Sequence, residues 1–167
     1  YRADIRLMSD DARFEDGEEK ALNMGAFDNR DIQVISSLIQ DSILPTKEIK
    51  WLSSSNKLAL LINRFRWEDK SSVLSKQDNL ERVRSLLMIS HVKSISSSGF
   101  SSKQKDKILS ILSISFDGDE GGQGNVLIIL SGNGGIRVNV DALEINLRDV
   151  TMPYIAPSGL VPEHIIN

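Results

Sequence analysis

The chain has 167 residues, 40% of them hydrophobic and 26% charged, with a formal net charge of −3. A single domain of that length buries about 70% of the surface its unfolded chain exposes, so a core without covalent staples is within reach. Cysteine is absent, which excludes disulfides, thiolate metal sites and cysteine nucleophiles and fits a reducing cytoplasm; the two histidines, His91 and His164, argue against a histidine-rich metal site.

Nowhere do about 18 apolar residues run together as a membrane span requires, and no apolar stretch behind Arg2 and Arg6 reads as a secretory signal. Tyr1 is no natural initiator and Met8 is an ordinary one, so the first seven residues are read as an extension and left out of the fold argument. The charge is unevenly spread. Residues 1–48 carry −5 (6 Lys+Arg, 11 Asp+Glu), residues 49–107 carry +7 (12 against 5) and residues 108–167 carry −5 (2 against 7). A basic middle between acidic ends is either a field for an acidic partner or the product of strands of opposite sign pairing on a solvated sheet face.

In chain order, residues 1–19 read as a disordered acidic arm and 20–151 as one domain, with Lys20 to Phe27 as a first, weakly marked strand. Asp28 has the chemistry of an N-cap, with Asp31 three residues on. From Asn29 to about Ser42 the residues Ile32, Ile35, Leu38, Ile39 and Ile43 share one helical face, and Pro45 is the expected stop. Period-two patterning follows. Ile49 to Leu52 and Lys57 to Trp67 flank a Ser-Ser-Ser-Asn turn, and Asp69 to Asn79 is a polar loop.

Leu80 to Ile95 reads as one long strand whose apolar phase changes near Ser90 and His91, which calls for a bulge or break. Ile108 to Phe116 alternates, with Leu112, Ile114 and Phe116 sharing a face. Val126 to Leu130 is apolar throughout and is expected in the middle of the sheet, covered on both faces. Asn133-Gly134-Gly135 suits a tight hairpin into Ile136 to Val140. Leu143, Ile145 and Leu147 alternate on the opposite parity, so a bulge or turn is expected near Asp141, with a closing helix as the alternative. Residues 152–167, with Pro153, Pro157 and Pro162, form an irregular tail.

No motif for catalysis or cofactor binding matches in full. The loop Asp117 to Gly122 begins like a calcium loop but has Gly121 at its fifth position and Ile128 at its twelfth, where a bidentate Glu is needed. Neither glycine-rich segment opens a helix that would receive a phosphate. Ser90 and His91 are strand neighbours pointing to opposite faces, so they are no nucleophile and base. Glu68, Asp69 and Glu81 flank one loop and could work as an acid and base pair, but without a pocket to raise one pKa they read as surface charges.

The segment Lys57 to Glu68 organises the rest. A continuous apolar run gives way at Asn63 to an alternation of Phe65 and Trp67 with Arg64, Arg66 and Glu68. The order of Asn63-Arg64-Phe65-Arg66-Trp67-Glu68, a strand opening with Arg82 and Arg84, the segment Lys105 to Leu112, an acidic glycine loop, a Gly-Gly hairpin and Ala142 to Asp149 resembles a family of small alphaproteobacterial proteins, the domain of unknown function numbered 2948. The resemblance runs from about Lys20 to Val150. It implies a bacterial cytoplasmic protein and carries over no catalytic residue, substrate or cofactor.

These readings predict an α+β fold: one N-terminal helix packed on a twisted, mostly antiparallel sheet of six or seven strands, with a small pleckstrin-homology-like barrel as the alternative if the closing segment is helical. They predict a non-enzymatic binding or adaptor module that meets its partner through Arg64, Trp67, Arg82 and Arg84. The partner is an acidic protein or a second copy of the chain, with RNA next in order, and neither a membrane, a metal nor a cofactor is called for. The competing class is a small hydrolase or isomerase with a carboxylate in a barrel mouth.

Overall fold

The computed structural model describes residues 21–69, residues 81–150 apart from Ser102 and Lys105, and residues 154–155. The acidic arm, the polar loop from residue 70 on, His164 and nearly all of the proline-containing tail lie outside the described residues.

The helix forms where the sequence places its cap. Asp28 is extended (φ −147°) and its side chain accepts the Asp31 amide at 2.8 Å, while Asp31 accepts the Phe27 amide at 3.2 Å, a reciprocal pair that satisfies two of the otherwise unpartnered N–H groups at this helix start. Helix α1 (Asn29–Ile39) then buries Ile32, Ile35, Leu38 and Ile39. Each such side chain contributes about 1.5–3 kcal/mol by leaving water. The helix ends earlier than the proline implies. Asp41 turns into the left-handed region at φ 65°, and residues Ser42–Pro45 are strand, with Ile43 turned out to solvent instead of lying on the helical face.

Strand β1 (Asn23–Ala26) precedes the helix, and β2 (Ser42–Pro45), β3 (Ile49–Leu52), β4 (Lys57–Phe65), β5 (Glu81–Ile89), β6 (Val92–Ser98), β7 (Ile108–Gly118), β8 (Gly124–Leu130), β9 (Gly134–Val140), β10 (Ile145–Asp149) and β11 (Tyr154–Ile155) follow it. The sheet path is β1-β10-β5-β4-β2-β7-β8-β9-β6, with β3 also on β4 and β11 also on β5, and every pairing is antiparallel. The architecture is the expected α+β one, but the described residues form eleven strands in place of six or seven. The excess comes from short strands whose few residues carry little periodicity, and from the division of the Leu80 to Ile95 stretch into β5 and β6. The sheet is open and the closing segment is the extended β10, so the barrel alternative falls.

The division at Ser90 and His91 is a sharp corner. His91 is left-handed (φ 58°) and exposed, while Ser90 is buried and donates its amide to the Glu144 carbonyl. Strand β5 lies inside one half of the sheet, and two residues later β6 forms the edge of the other half. A second irregularity sits in β7, where the register with β8 shifts between Ile111 and Ser113. The bulge lets Ile111 and Ile114 both face the core and turns Leu112 outward, 45% exposed, so Leu112 does not share the face of Ile114 as simple alternation requires. Strand β8 is central, as expected, yet covered on one face only: Val126, Ile128 and Leu130 are buried, and Ile129 is 43% exposed.

The core gathers the inward side chains of both halves, among them Leu60, Ile62, Leu87, Ile89, Ile111, Val126, Ile128, Val138 and Leu147, together with the buried face of α1. Among the described residues the opposite face of the sheet carries no α-helix. Among the described residues no helix is long and apolar enough to cross a membrane.

Candidate functional site

The inward parity of β4 runs Leu58, Leu60, Ile62 and then Arg64, so the core row of this strand ends on a guanidinium that is completely buried. Burying an unpaired charge costs several kcal/mol, and every donor of Arg64 is met. Nη1 and Nη2 donate side by side to Glu68 Oε1 and Oε2 at 2.9 and 2.8 Å, the two-pronged geometry that suits a planar guanidinium. Nη2 also reaches Asp149 Oδ1 and Oδ2 at 3.1 and 3.2 Å, Nε donates to Ser85 Oγ at 3.0 Å, and Nη1 donates to the Phe65 carbonyl.

Asp149, whose side chain is fully buried, accepts from Ser85 Oγ at 2.6 Å and from the Leu22 amide at 2.8 Å. One ion cluster thus ties β4, β5, β10 and the residue before β1. Next to it, Arg66 Nη1 donates to Glu81 Oε1 at 2.6 Å, and Arg66 Nε lies 3.8 Å from Glu68 Oε2. Burial favours the neutral form of Glu68, but the hydrogen bonds and charge of Arg64, helped by Arg66, outweigh it and hold this carboxyl below its ordinary range. Burial likewise disfavours the charged form of Arg64, and its two carboxylates more than compensate, raising its pKa.

Arg64 is therefore no part of a docking surface; it is the polar end of the core. The sequence reading assigned charge to solvent, whereas the strand continued its inward parity past Ile62. Trp67, in the short 3-10 turn Trp67–Asp69, is half-buried; its Nε1 donates to the Gln40 carbonyl at 2.9 Å and its ring meets Phe65 edge-on at 5.4 Å, which fastens the end of β4 to the end of α1. Arg82 and Arg84 do lie together on the outward face of β5. Arg82 stacks over Phe65 at 4.1 Å and donates to the Asn63 side chain and carbonyl, both at 3.0 Å. Asn63, across from Arg84 in register, faces outward and so meets its hydrogen-bonding demand on the surface.

Of the carboxylates proposed for acid–base work, Glu68 and Glu81 are engaged otherwise. Glu68 is pinned as an anion by Arg64, and Glu81 is held by Arg66. A general acid needs the opposite shift, so the Glu68 site gives that reading no support. Among the described residues no group of three His, Asp or Glu side chains is placed to hold a metal ion.

Cross-strand register shows what the sequence reading missed. The outward row Asn23, Arg148, Leu86, Leu61 runs across β1, β10, β5 and β4. The neighbouring row is Gly25, Asn146, Met88, Ala59, Lys50 across β1, β10, β5, β4 and β3, and Leu52 pairs with Lys57 at its side. On the other side Arg84 meets Asn63, and Arg82 meets Phe65. The centre of this face is thus apolar, with Leu61, Phe65, Leu86 and Met88 half-buried, and around it stand Lys50, Lys57, Arg82, Arg84 and Arg148. None of these positions, all among the described residues, carries a carboxylate. The acids that balance the strands' charge have gone to the other face, onto Arg64 and Arg66. The alternation of β5 was visible in the sequence, but Arg148 and Lys50 join it only through strand pairings between distant segments.

A family model described as "Protein of unknown function (DUF2948)" matches residues 22–164. The chain belongs to this family. The DUF2948 match begins one residue before β1 and runs past Val150, beyond the segments that carry the sequence resemblance. No curated protein and no solved structure matches the chain.

Proposed function

We propose that this DUF2948 protein is a non-enzymatic binding module of the bacterial cytoplasm whose outer face on β3, β4, β5 and β10 seats an acidic protein. The observation that carries this reading is the apolar centre of Leu61, Phe65, Leu86 and Met88 within a ring of five cations. Protein interfaces have this anatomy, an apolar core that excludes water and a polar rim. The rim's uniform sign selects a partner whose apolar side chains are flanked by Asp and Glu, steers its approach, and weakens with salt. RNA is the competing ligand. Phosphates would use the cations but leave the aliphatic centre unused, since Leu61, Leu86 and Met88 offer no base a stacking platform.

The test is capture from an extract of a bacterium that carries the protein, with retained proteins and nucleic acid both identified. Lys57→Glu with Arg148→Glu, and separately Leu61→Asp with Met88→Asp, are each expected to release the same protein, while Arg137→Glu, on the other half of the sheet, retains it. If both double variants, shown to be folded, keep every partner of the wild type, the assignment of this face is wrong. If nucleic acid is retained instead, is lost with the charge variant and survives Leu61→Asp with Met88→Asp, RNA replaces the protein partner.

A further inference from the structure

The other half of the sheet ends on an open edge. Strand β6 pairs with β9 and, among the described residues, with no other strand. An edge strand exposes every second backbone N–H and C=O, and proteins commonly block such edges with proline, inward charges or a covering loop. Strand β6 carries one charge, Lys93 at its start, drawn toward Asp141 at 3.6 Å; from Ser94 to Ser98 the edge reads Ser-Ile-Ser-Ser-Ser, with no proline and no charge. Beside it on the outward surface lies a groove of about 320 Å³ lined by Ser96, Ser98, Leu127, Ile129, Gly135 and Arg137. Register explains the groove: Gly135 sits between Ile129 and Ser98, and Arg137 sits between Leu127 and Ser96, so small side chains on the outer strands leave the space open.

Arg137 is exposed, and both of its cross-strand neighbours are uncharged. Ion pairs between described residues form at Arg64, Arg66, His91 and Lys93, and none of them involves Arg137. We infer that the β6 edge takes up an extended peptide as an additional strand, with an apolar side chain in the groove over Gly135 and a carboxylate on Arg137. An added strand lies about 4.8 Å beyond β6, and Ser96 is too short to stand between a glutamate on that strand and the long Arg137 side chain. Arg137 is what decides between occupants. A second copy pairing through its own β6 would bring another Arg137 to the same face, and β6, β8 and β9 would bring no carboxylate to meet either one.

This site is separate from the basic face of β4 and β5, and its test does not involve that face. A displayed random heptapeptide library is selected against the full chain, and enriched sequences are made as free peptides. Enriched peptides are expected to lack central proline and to carry Asp or Glu beside an aliphatic residue. Their affinity is expected to fall at least tenfold on Arg137→Glu, on Gly135→Val and on N-methylation of alternate peptide amides. Gly135→Val fills the groove at little cost to the strand, because a Cβ there stands in ordinary contact, 3.4 Å from the Ile128 carbonyl oxygen and 4.0 Å from Ser98 Oγ. Failure to enrich any peptide, or enriched peptides that bind both variants as well as the wild type, overturns the inference. So does a dimer of the free chain that Gly135→Val converts to monomer, which would give the edge to a second copy.

Discussion

Replacing Asp149 by alanine tests whether the buried ion cluster holds the β4, β5 and β10 strands together. The substitution removes a carboxylate that receives Arg64, Ser85 Oγ and the Leu22 amide, all with little or no access to water. Arg64 keeps Glu68, so its charge is not stranded, but the hydrogen bonds from three partners disappear, those from Arg64 being between full charges. The expected loss is about 3–5 kcal/mol, a large share of the 5–15 kcal/mol by which domains of this kind are stable, in order of magnitude. With a urea m-value of about 2 kcal/mol/M the unfolding midpoint falls by roughly 2 M at unchanged slope. Arg64→Met alone should cost a similar amount, because it leaves the Asp149 carboxylate buried without its cation. Combining Arg64→Met with Asp149→Leu removes both charges, and the double variant is expected to recover about 2–3 kcal/mol relative to the sum of Arg64→Met and Asp149→Leu measured singly. A shift below about 0.5 M for Asp149→Ala, or single losses that simply add, would refute the view of the cluster as one coupled unit.

Glu68 gives a pH signature. Its pKa is lowered by folding, so its contribution is present above the unfolded-state value, near 4.5, and is lost as pH falls through the lower native value. Stability measured by urea titration from pH 6 downward should therefore decline less steeply in Glu68→Gln than in the wild type below about pH 4.5, and parallel curves would count against the Arg64 pairing. Two glycines with positive φ separate backbone strain from contact. Gly132 (φ 75°) has open space where a Cβ would go, whereas a Cβ at Gly99 (φ 85°) would stand 2.5 Å from Gly134 Cα. Gly132→Ala should cost about 1 kcal/mol and Gly99→Ala about 3 kcal/mol or more, read from thermal unfolding; equal losses would show that the approach of β6 to the β8–β9 turn does not constrain the fold.

How far the sequence could be read depended on whether a signal was local. The Asp28 cap and the apolar face of Ile32, Ile35, Leu38 and Ile39 lie within a dozen residues, and the helix formed there. Its end did not follow Pro45, because Asp41 could take the left-handed conformation and release Ser42 into a strand. The phase change at Ser90 and His91 was plain in the pattern, but a pattern cannot say that the chain leaves one half of the sheet there and starts the far edge of the other. Arg64 was the largest miss. Its burial requires Asp149, 85 residues away, and a periodicity that treats arginine as solvent-facing has no means to supply that partner. The same holds for the cation ring, since Arg148 and Lys50 reach the face of Arg82 and Arg84 only through pairings that a linear pattern leaves open.

The corner at His91 also decides how this protein can be divided. One half of the sheet contains β1, β3, β4, β5, β10 and β11, and the other contains β2 and β6 to β9. The chain passes from one half to the other four times: through α1, between β2 and β3, at His91, and between β9 and β10. Neither half is a contiguous length of polypeptide: the basic face draws on β3 to β5 and on β10, which lie on either side of β6 to β9 in the chain. A truncation that keeps the basic face, whose residues run from Lys50 to Arg148, therefore keeps β6 to β9 and inherits the open edge with them.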